Sequence, residues 1–367
     1  MSIIVALASF LISAFAVILV IGAARRLKIV DTPKKDGRRV HKKPIPLLGG
    51  SAIFIAILIV TTIVLMRSDA LVSGEVTAAH YIALLISMLI LVIGGGLDDK
   101  FNLKPQYQIL FPVLAALVAI GGGLGVEKLT NPFGGVLFLE AHTWDLFKLG
   151  AHNVAFSWPG DIIVFLWLMG MMYTTKLLDG LDGLATSIGS VGALVVLLLA
   201  STVAYLQPDI VVFAAIVFGA LIGFLVWNMH PAKIFLGEGG ALLVGFVLGS
   251  LAVLSGGKVA TLLLVMGVPI LDVVWVMYRR RQAGRKVSKA DRLHLHHRLY
   301  DLGMTQRDVV FFYTFLASMF GVMTLFLSSM AKLIALIGLS IVVLAGAFFL
   351  ISLEKKAPRT RKGQGRS

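Results

Sequence analysis

The feature that most constrains this chain is a series of long apolar runs that recurs along nearly its whole length. A run of about twenty apolar residues is enough to cross the hydrocarbon layer of a bilayer as a helix. Eleven such runs lie between polar or Gly- and Pro-rich breaks, at residues 3–24, 47–66, 81–97, 107–126, 161–178, 184–206, 211–227, 241–255, 260–278, 309–327 and 333–353. Hydrophobic residues make up 58% of the 367 residues, more than a single soluble core can hide. The sequence therefore predicts an all-α fold, a polytopic transmembrane helical bundle of about eleven spans.

The distribution of basic residues predicts how the bundle is oriented. If the N-terminus is outside, the segments that face the cytoplasm contain all but five of the 33 Lys and Arg residues. The five exceptions are Arg67, Lys128, Lys148, Lys258 and Lys332. Because cytoplasmic loops are enriched in Lys and Arg, we expect the N-terminus outside and the C-terminus in the cytoplasm. The net charge of +14 then reflects orientation and attraction to anionic headgroups, and no nucleic-acid partner is expected.

One integral membrane domain is expected over residues 1–353, followed by a basic, disordered cytoplasmic tail at 354–367. Arg25 and Arg26 follow the first apolar run instead of preceding it, which indicates a retained helix and not a cleaved signal peptide. The outside loop at 127–160 contains Trp144 and Trp158 and is expected to fold over the membrane face. The chain has no cysteine, which excludes disulfides and thiolate chemistry.

Two pairs of acidic residues are predicted at the cytoplasmic ends of spans three and five. Asp98 and Asp99 in LDDK are adjacent carboxylates at a membrane boundary, where they favour a cation such as Mg²⁺ or a basic partner. Asp179 and Asp182 in KLLDGLDGLA are three residues apart, so a helical turn would place them on one face. The glycines of this segment would let a ligand approach the backbone. A solvated helix end and an ordinary Gly-rich turn are the alternatives.

Two further polar segments follow spans seven and nine. Glu238 in GEGGALLVG lies between glycines just before an apolar helix, where backbone NH groups and the helix dipole could face a phosphate. His294, His296 and His297 lie in DRLHLHHRLYDLG, which is predicted to be a loop or irregular turn because their spacing does not suit one helix face. Clustered with Arg298, they would suit a pyrophosphate. A plain loop-to-helix junction and an interfacial basic loop are the alternatives.

The basic run at 31–50 contains Lys42 and Lys43 and ends in Pro and Gly at the entrance to span two. A charge run of this kind usually serves orientation, but it could also hold a lipid phosphate.

All five polar segments fall on one predicted face, although they are scattered along the chain. Carboxylates for a divalent ion, glycines for close approach and basic groups for phosphates together favour phosphoryl transfer from a soluble nucleotide. A transporter or flippase is the main alternative from another class, but it would place ionisable residues near the bilayer midplane. Asp272, within span nine, is the nearest exception. A catalytically inactive scaffold is a third possibility.

Six motifs in a characteristic order carry a resemblance to a known family. RRVHKKPIPLLGG, GGGLDDKFNLKP, LLDGLDGLA, HPAKIFLGEGG, PILDVVWVMYRR and HLHHRL resemble those of the polyprenyl-phosphate N-acetylhexosamine-1-phosphate transferases, glycosyltransferase family 4. The eleven-span layout resembles the branch that uses UDP-N-acetylglucosamine (UDP-GlcNAc) more than the ten-span phospho-MurNAc-pentapeptide transferases.

The resemblance implies transfer of a sugar-1-phosphate from a UDP-sugar to a polyprenyl phosphate such as undecaprenyl phosphate. The reaction would depend on Mg²⁺, or on Mn²⁺, release UMP, and begin the synthesis of a cell-wall or surface polysaccharide. The resemblance also implies a bacterial plasma (inner) membrane location with a cytoplasmic active site, and it is compatible with a homodimer.

The resemblance assigns roles to individual positions of this chain. It implies that Glu238 is a metal ligand with Asp179 and Asp182 near the metal and nucleotide, and that Asp98 or Asp99 deprotonates or positions the lipid phosphate. It also implies that the histidine motif, His294, His296 and His297, contacts the diphosphate or the sugar. The substrate-binding positions that it implies are Lys42, Lys43, Lys176, Gly180, Gly183 and Arg298.

Three departures from the family pattern stand out. Glu238 replaces the usual aspartate, Tyr173 and Lys176 replace two asparagines, and Gln106 and Gln108 replace basic residues. One extra methylene at Glu238 moves the carboxylate by about a bond length, which a flexible metal shell can absorb and a tight one cannot. These departures bear on the nucleotide base and the sugar more than on the class of reaction.

Overall fold

The computed structural model describes residues 1–32, 44–131, 133–149, 152–256, 258–282, 284 and 294–356. The helices are α1 (Ser2–Arg26), α2 (Gly49–Arg67), α3 (Ala78–Phe101), α4 (Pro105–Gln108), α5 (Leu110–Gly121), α6 (Gly160–Leu178), α7 (Leu184–Ala200), α8 (Pro208–Asn228), α9 (Gly237–Leu254), α10 (Val259–Val265), α11 (Gly267–Gln282), α12 (Leu295–Asp301), α13 (Gln306–Met323) and α14 (Ser329–Lys356). The strands are β1 (Val30–Asp31), β2 (Ile45–Pro46), β3 (Lys128–Thr130), β4 (Val136–Phe138), β5 (Glu140–Leu149) and β6 (His152–Pro159), and a 3-10 turn lies at Val203–Tyr205.

Each predicted span coincides with one helix or with a pair of consecutive helices. Among the described residues, seven helices are long and apolar enough to cross a membrane, and an eighth span results if α10 and α11, which are bent by 76°, form one. The α4–α5 segment and α7 are apolar but shorter. The prediction of an all-α, polytopic membrane protein is confirmed. The number of spans, the orientation and the 1–353 domain boundary stay predictions.

Helix α9 is the centre of the bundle, because 89% of this apolar helix is buried among the other helices. Glycines allow two neighbours to approach its N-terminal turn closely. A methyl group added to Gly95 in α3 would collide with the backbone of Gly239, and one added to Gly50 in α2 would collide with that of Gly240. In membranes, small residues at helix crossings give close backbone packing, which substitutes for the hydrophobic driving force available in water. The start of α9 therefore packs closely between α2 and α3.

The 127–160 segment, predicted to be an outside loop that folds over the membrane face, contains two antiparallel hairpins, β3–β4 and β5–β6, which the sequence analysis did not predict. In the longer hairpin, the ring of Trp144 stacks between those of His142 and Phe156, each at 5.9 Å between centroids. Cross-strand aromatic pairs of this kind stabilise a small sheet. Strand pairing depends on a partner strand, so the apolar-run pattern that found the helices gave no signal for it.

The C-terminal tail and the first basic run are only partly described by the structure. Helix α14 continues to Lys356, so residues 354–356, predicted to begin a disordered tail, are helical. Residues 357–367 and most of the first basic run, including Lys42 and Lys43, lie outside the described residues.

Candidate active site

A cavity of about 1400 Å³ opens where several helix ends meet at one end of the bundle. Its wall contains six carboxylates, those of Asp31, Asp98, Asp99, Asp179, Asp182 and Glu238. Lys176, Gly180 and His297 also line it. The structure thus brings together the predicted acidic segments, the start of α9 and one residue of the histidine motif.

The ends of the first basic run are held at the same cavity. Strand β1 pairs with β2, on either side of residues 33–43, and residues 44–47 line the cavity. The Phe235 NH donates a hydrogen bond of 2.9 Å to the carbonyl of Pro46, and the Gly49 NH donates one of 3.0 Å to the carbonyl of Phe235. These bonds join the chain that follows Lys43 to the segment that leads into α9.

Asp98 and Asp99 are adjacent in the sequence but make different contacts. The Oδ1 atom of Asp98 accepts hydrogen bonds from the Leu103 NH at 2.8 Å and from the Gln108 side-chain amide at 3.0 Å. Its side chain is buried, so it secures the turn between α3 and α4. By contrast, Asp99 Oδ1 accepts the Glu238 NH at 3.2 Å and faces the start of α9. Of the two, Asp99 is therefore the carboxylate placed beside Glu238.

Lys176 and Glu238 form an ion pair inside the cavity. The Lys176 Nζ lies 2.7 Å from Glu238 Oε2, and it also donates to Gln108 Oε1 at 3.4 Å. Since Gln108 in turn donates to Asp98, these contacts connect α3, α4, α6 and α9 in one polar network. Glu238 lies in the first turn of α9, where the helix dipole favours a negative charge.

The two aspartates of the DGLDG segment have unlike surroundings. Burial first, and then the charges of Glu238, Asp99 and Asp182, raise the pKa of Asp179 to about 8. The Oδ2 atom of Asp182 instead contacts His230 Nδ1 at 2.7 Å and accepts the Ala232 NH at 3.1 Å. Asp182 thereby orders the segment between α8 and α9. In Asp179, by contrast, burial and the neighbouring carboxylates disfavour the ionised form.

His230 is a site residue that the sequence analysis did not select. Besides its contact with Asp182, its carbonyl accepts hydrogen bonds from Arg307 Nε at 3.2 Å and Nη2 at 3.0 Å. Its position in HPAKIF, within a matching motif, was the signal that could have found it. It connects the DGLDG turn to the N-terminal end of α13.

The histidine motif is a helix with its cap, and the prediction of a loop or irregular turn was wrong. His294 is the N-cap of α12. Asp272 in α11 accepts a hydrogen bond from the Leu295 NH at 2.8 Å through Oδ1, and its Oδ2 lies 2.9 Å from His294 Nδ1. A carboxylate that satisfies an orphan NH at a helix start stabilises that start, and spacing alone does not reveal such a partner. Asp272 is therefore a structural partner of a helix end.

The three histidines lie at different depths. His296 is buried, and its ring lies between those of His294 at 5.7 Å and His297 at 4.3 Å. Burial and then the neighbouring His297 and His294 lower the pKa of His296 well below its usual value, so its ring is neutral near pH 7. Of the three, only His297 lines the cavity.

Two glycines and an arginine complete the predicted set. A methyl group on Gly180 would lie 2.5 Å from His296 Nε2, so this glycine allows the DGLDG turn to pack on α12. Gly183 is the N-cap of α7 with φ of 79°, a left-handed conformation that glycine adopts readily. Neither Gly183 nor the buried Arg298 lines the cavity.

The donor set of the cavity suits a hard divalent cation. Within the described ranges, no three His, Asp or Glu side chains are grouped closely enough to define a metal site on their own. However, after burial, the charges of Glu238, Asp99 and Asp182 raise the pKa of Asp179, which indicates that negative charge is concentrated around this carboxyl. Mg²⁺ prefers one or two carboxylates, with substrate phosphates and water completing its shell. Glu238 and Asp179 are the residues that would hold it.

Asp179→Asn is expected to raise the melting temperature in metal-free buffer, and by more at pH 9 than at pH 5. The folded-state pKa of about 8 lies above the ordinary 3.8, so the folded protein retains a proton that the unfolded chain has released between these values. The contribution of Asp179 to stability is therefore most favourable below pH 3.8 and declines as the pH rises towards 8, whereas asparagine avoids this loss. Melting curves in detergent with a chelator should show a gain of ~3 °C at pH 9. A gain that shrinks with rising pH would contradict the assignment.

Comparisons with known proteins indicate which proteins this chain is similar to. Residues 81–256 match the sequence model of glycosyl transferase family 4, a range that includes five of the six cavity carboxylates. The chain is 29% identical to a probable undecaprenyl-phosphate N-acetylglucosaminyl 1-phosphate transferase of Bacillus subtilis, over 88% of this chain and 84% of that protein. It is 28% identical to a decaprenyl-phosphate N-acetylglucosaminephosphotransferase of Mycobacterium leprae, over 83% of this chain and 78% of that protein.

A third relative represents another activity within the family. The chain is 28% identical to the phospho-N-acetylmuramoyl-pentapeptide-transferase of Bacillus subtilis, over 80% of this chain and 88% of that protein. The matches to all three relatives extend over most of their lengths, and the family match includes most of α3, all of α6 and the start of α9, which contribute residues to the cavity wall. This multi-pass membrane protein is therefore similar to glycosyl transferase family 4 over residues 81–256, and its named relatives support a phospho-sugar transferase.

Proposed function

We propose that this protein transfers N-acetylglucosamine-1-phosphate from UDP-GlcNAc to a polyprenyl phosphate and releases UMP. The observation that carries the proposal is the convergence of six carboxylates, Lys176 and His297 on one cavity, although they come from distant parts of the sequence. Such a cavity suits a diphosphate held with a cation. The names of the Bacillus and Mycobacterium relatives supply the sugar and the lipid class.

In the proposed reaction, an oxygen of the lipid phosphate attacks the sugar-proximal phosphorus of the donor. The bond from that phosphorus to the bridging oxygen breaks, UMP leaves, and the lipid carries the sugar on a diphosphate. Asp99, at the end of a predicted span, accepts the remaining proton of the lipid phosphate and holds the start of α9 through the Glu238 NH. A divalent cation bound by Glu238 and Asp179 would offset the charge of the diphosphate and the leaving UMP.

The other site residues position these groups. Asp182 and His230 hold the segment before α9 in place, and Asp98 secures the end of α3 through Leu103 and Gln108. His297, at the cavity wall, is placed to donate to a phosphate or a sugar hydroxyl. Positioning and charge neutralisation account for most of the catalysis, because the nucleophile is already an anion.

The proposed location of the cavity is the cytoplasmic face of a bacterial plasma membrane. The cavity wall includes Arg25, Lys176 and Lys233, which belong to the basic segments assigned to the cytoplasm. By contrast, Lys258 follows the C-terminal end of α9, away from Glu238, and Lys332 lies in the first turn of α14. A soluble UDP-sugar reaches the protein from that side, and the lipid phosphate reaches it from the inner leaflet.

One assay tests the proposal. Purified protein is incubated with undecaprenyl phosphate and either UDP-GlcNAc or UDP-MurNAc-pentapeptide, and UMP is measured. We expect UMP from UDP-GlcNAc only when the lipid is present, with loss of the product on chelation and recovery with Mg²⁺ or Mn²⁺. Product from UDP-MurNAc-pentapeptide alone would favour the activity named for the third relative. The absence of UMP with every UDP-sugar would refute the transferase.

A further inference from the structure

We infer that Lys176 is the cavity's built-in cation and that it competes with a divalent cation for Glu238 until a nucleotide diphosphate draws the lysine away. This inference rests on the proposed function, because it concerns how the donor and the cation enter the same cavity.

The contacts of Lys176 place its charge on one carboxylate oxygen. Its Nζ lies 2.7 Å from Glu238 Oε2, with 21% of the lysine side chain and 38% of the glutamate side chain exposed. Gln108 Oε1 at 3.4 Å and the Tyr173 ring at 6.0 Å hold the ammonium from other sides. The ammonium is thus held directly against the carboxylate that is best placed to bind a divalent cation.

The other described lysine in the cavity wall does not make this contact. Lys233 Nζ lies over the ring of Trp227, 4.8 Å from its centroid. Both lysines contribute one positive charge to the same cavity, but only Lys176 is paired with Glu238. This difference allows direct competition at Glu238 to be separated from a general effect of charge.

A metal ion and the ammonium cannot share Glu238 Oε2 in this geometry. A divalent cation at the usual distance of about 2.0–2.1 Å from that oxygen would lie within a few ångströms of Nζ, where like charges repel strongly. The long lysine stem is flexible, and its three donors suit a phosphate oxygen. When a diphosphate enters, Nζ can move to it and leave Glu238 free. Metal binding and donor binding should therefore strengthen each other.

The experiment measures Mn²⁺ binding to the whole protein by electron paramagnetic resonance in detergent, first without nucleotide. We expect Lys176→Gln to bind Mn²⁺ about tenfold more tightly than wild type, because the change removes the ammonium that competes for Glu238 Oε2. Lys176→Arg, which keeps the charge, should bind like wild type. The matched control Lys233→Gln should change the Kd by less than about twofold, because it removes one charge without touching Glu238.

A second arm adds UDP-GlcNAc to the same proteins. The wild type should then bind Mn²⁺ more tightly and approach Lys176→Gln, whereas Lys176→Gln should gain less. Unchanged affinity in Lys176→Gln without nucleotide would overturn the inference, as would an equal gain in Lys233→Gln. If Lys176→Gln does not elute as a monodisperse protein, Lys176→Met replaces it, and the wild-type response to nucleotide remains a test. The measurement without nucleotide does not depend on turnover, so a failed transferase assay and a failed competition are distinguishable.

Discussion

The Asp99→Asn protein is expected to fold like wild type and to release UMP at least about a hundredfold more slowly, within the range of ~10²–10⁴ that a positioned acid or base contributes. Asparagine has the shape of aspartate and can still accept the Glu238 NH, which Asp99 Oδ1 accepts at 3.2 Å. What it cannot do is take a proton from the lipid phosphate or contribute a negative charge to the cavity. The measurement is the rate of UMP release at saturating UDP-GlcNAc and lipid, together with a melting curve.

The adjacent carboxylate provides the control. Asp98 is buried and accepts hydrogen bonds from Leu103 and Gln108, so Asp98→Asn should lower the melting temperature and reduce the rate by less than about tenfold. A pattern in which Asp98→Asn loses the rate and Asp99→Asn keeps it would reverse the assignment. Equal and small losses in both variants would remove the acidic pair from the mechanism.

Much of this architecture could be predicted from the sequence, because membrane-spanning helices are specified locally. Long apolar runs indicate helices wherever they occur, and the distribution of Lys and Arg indicates which loops share a side. That placed Asp98, Asp182 and Glu238 on one predicted face, and all three line the same cavity. The number of spans between these residues was enough to predict that they share one side of the membrane. That prediction needed no knowledge of which helices are neighbours.

The individual contacts could not be predicted, because they depend on how distant helices pack. Asp98 and Asp99 are equivalent in the sequence, and only the start of α9 beside α3 distinguishes them. The pairing of Lys176 with Glu238 likewise requires α6 to lie against α9. The helix after His294 depends on Asp272 in another helix, and the hairpins at 128–159 depend on partner strands. Except for the hairpins, these are contacts between segments far apart in the sequence, which local patterns do not encode.

Gly95→Ala is expected to reduce both stability and catalysis, since Gly95 is the point at which α3 meets α9. The added methyl group would collide with the backbone N and Cα of Gly239, and backbone cannot move aside as a side chain can. Overpacking of this kind costs about 1–3 kcal/mol and forces the two helices apart. Asp99 lies one turn further along the same face of α3 and contacts Glu238, the residue before Gly239.

The displacement should therefore reach the reacting groups, where a misplacement of about 1 Å can cost ~10²-fold in rate. Rate and melting temperature are measured on the fraction of protein that elutes as a folded species. The matched control is Gly170→Ala in α6, because a methyl group there meets no atom within 4 Å. That change should leave the rate unaltered and, by reducing the freedom of the unfolded chain, raise stability by about 0.4–1 kcal/mol. If folded Gly95→Ala protein kept the wild-type rate, the contact between α3 and α9 would not be what aligns Asp99 with Glu238.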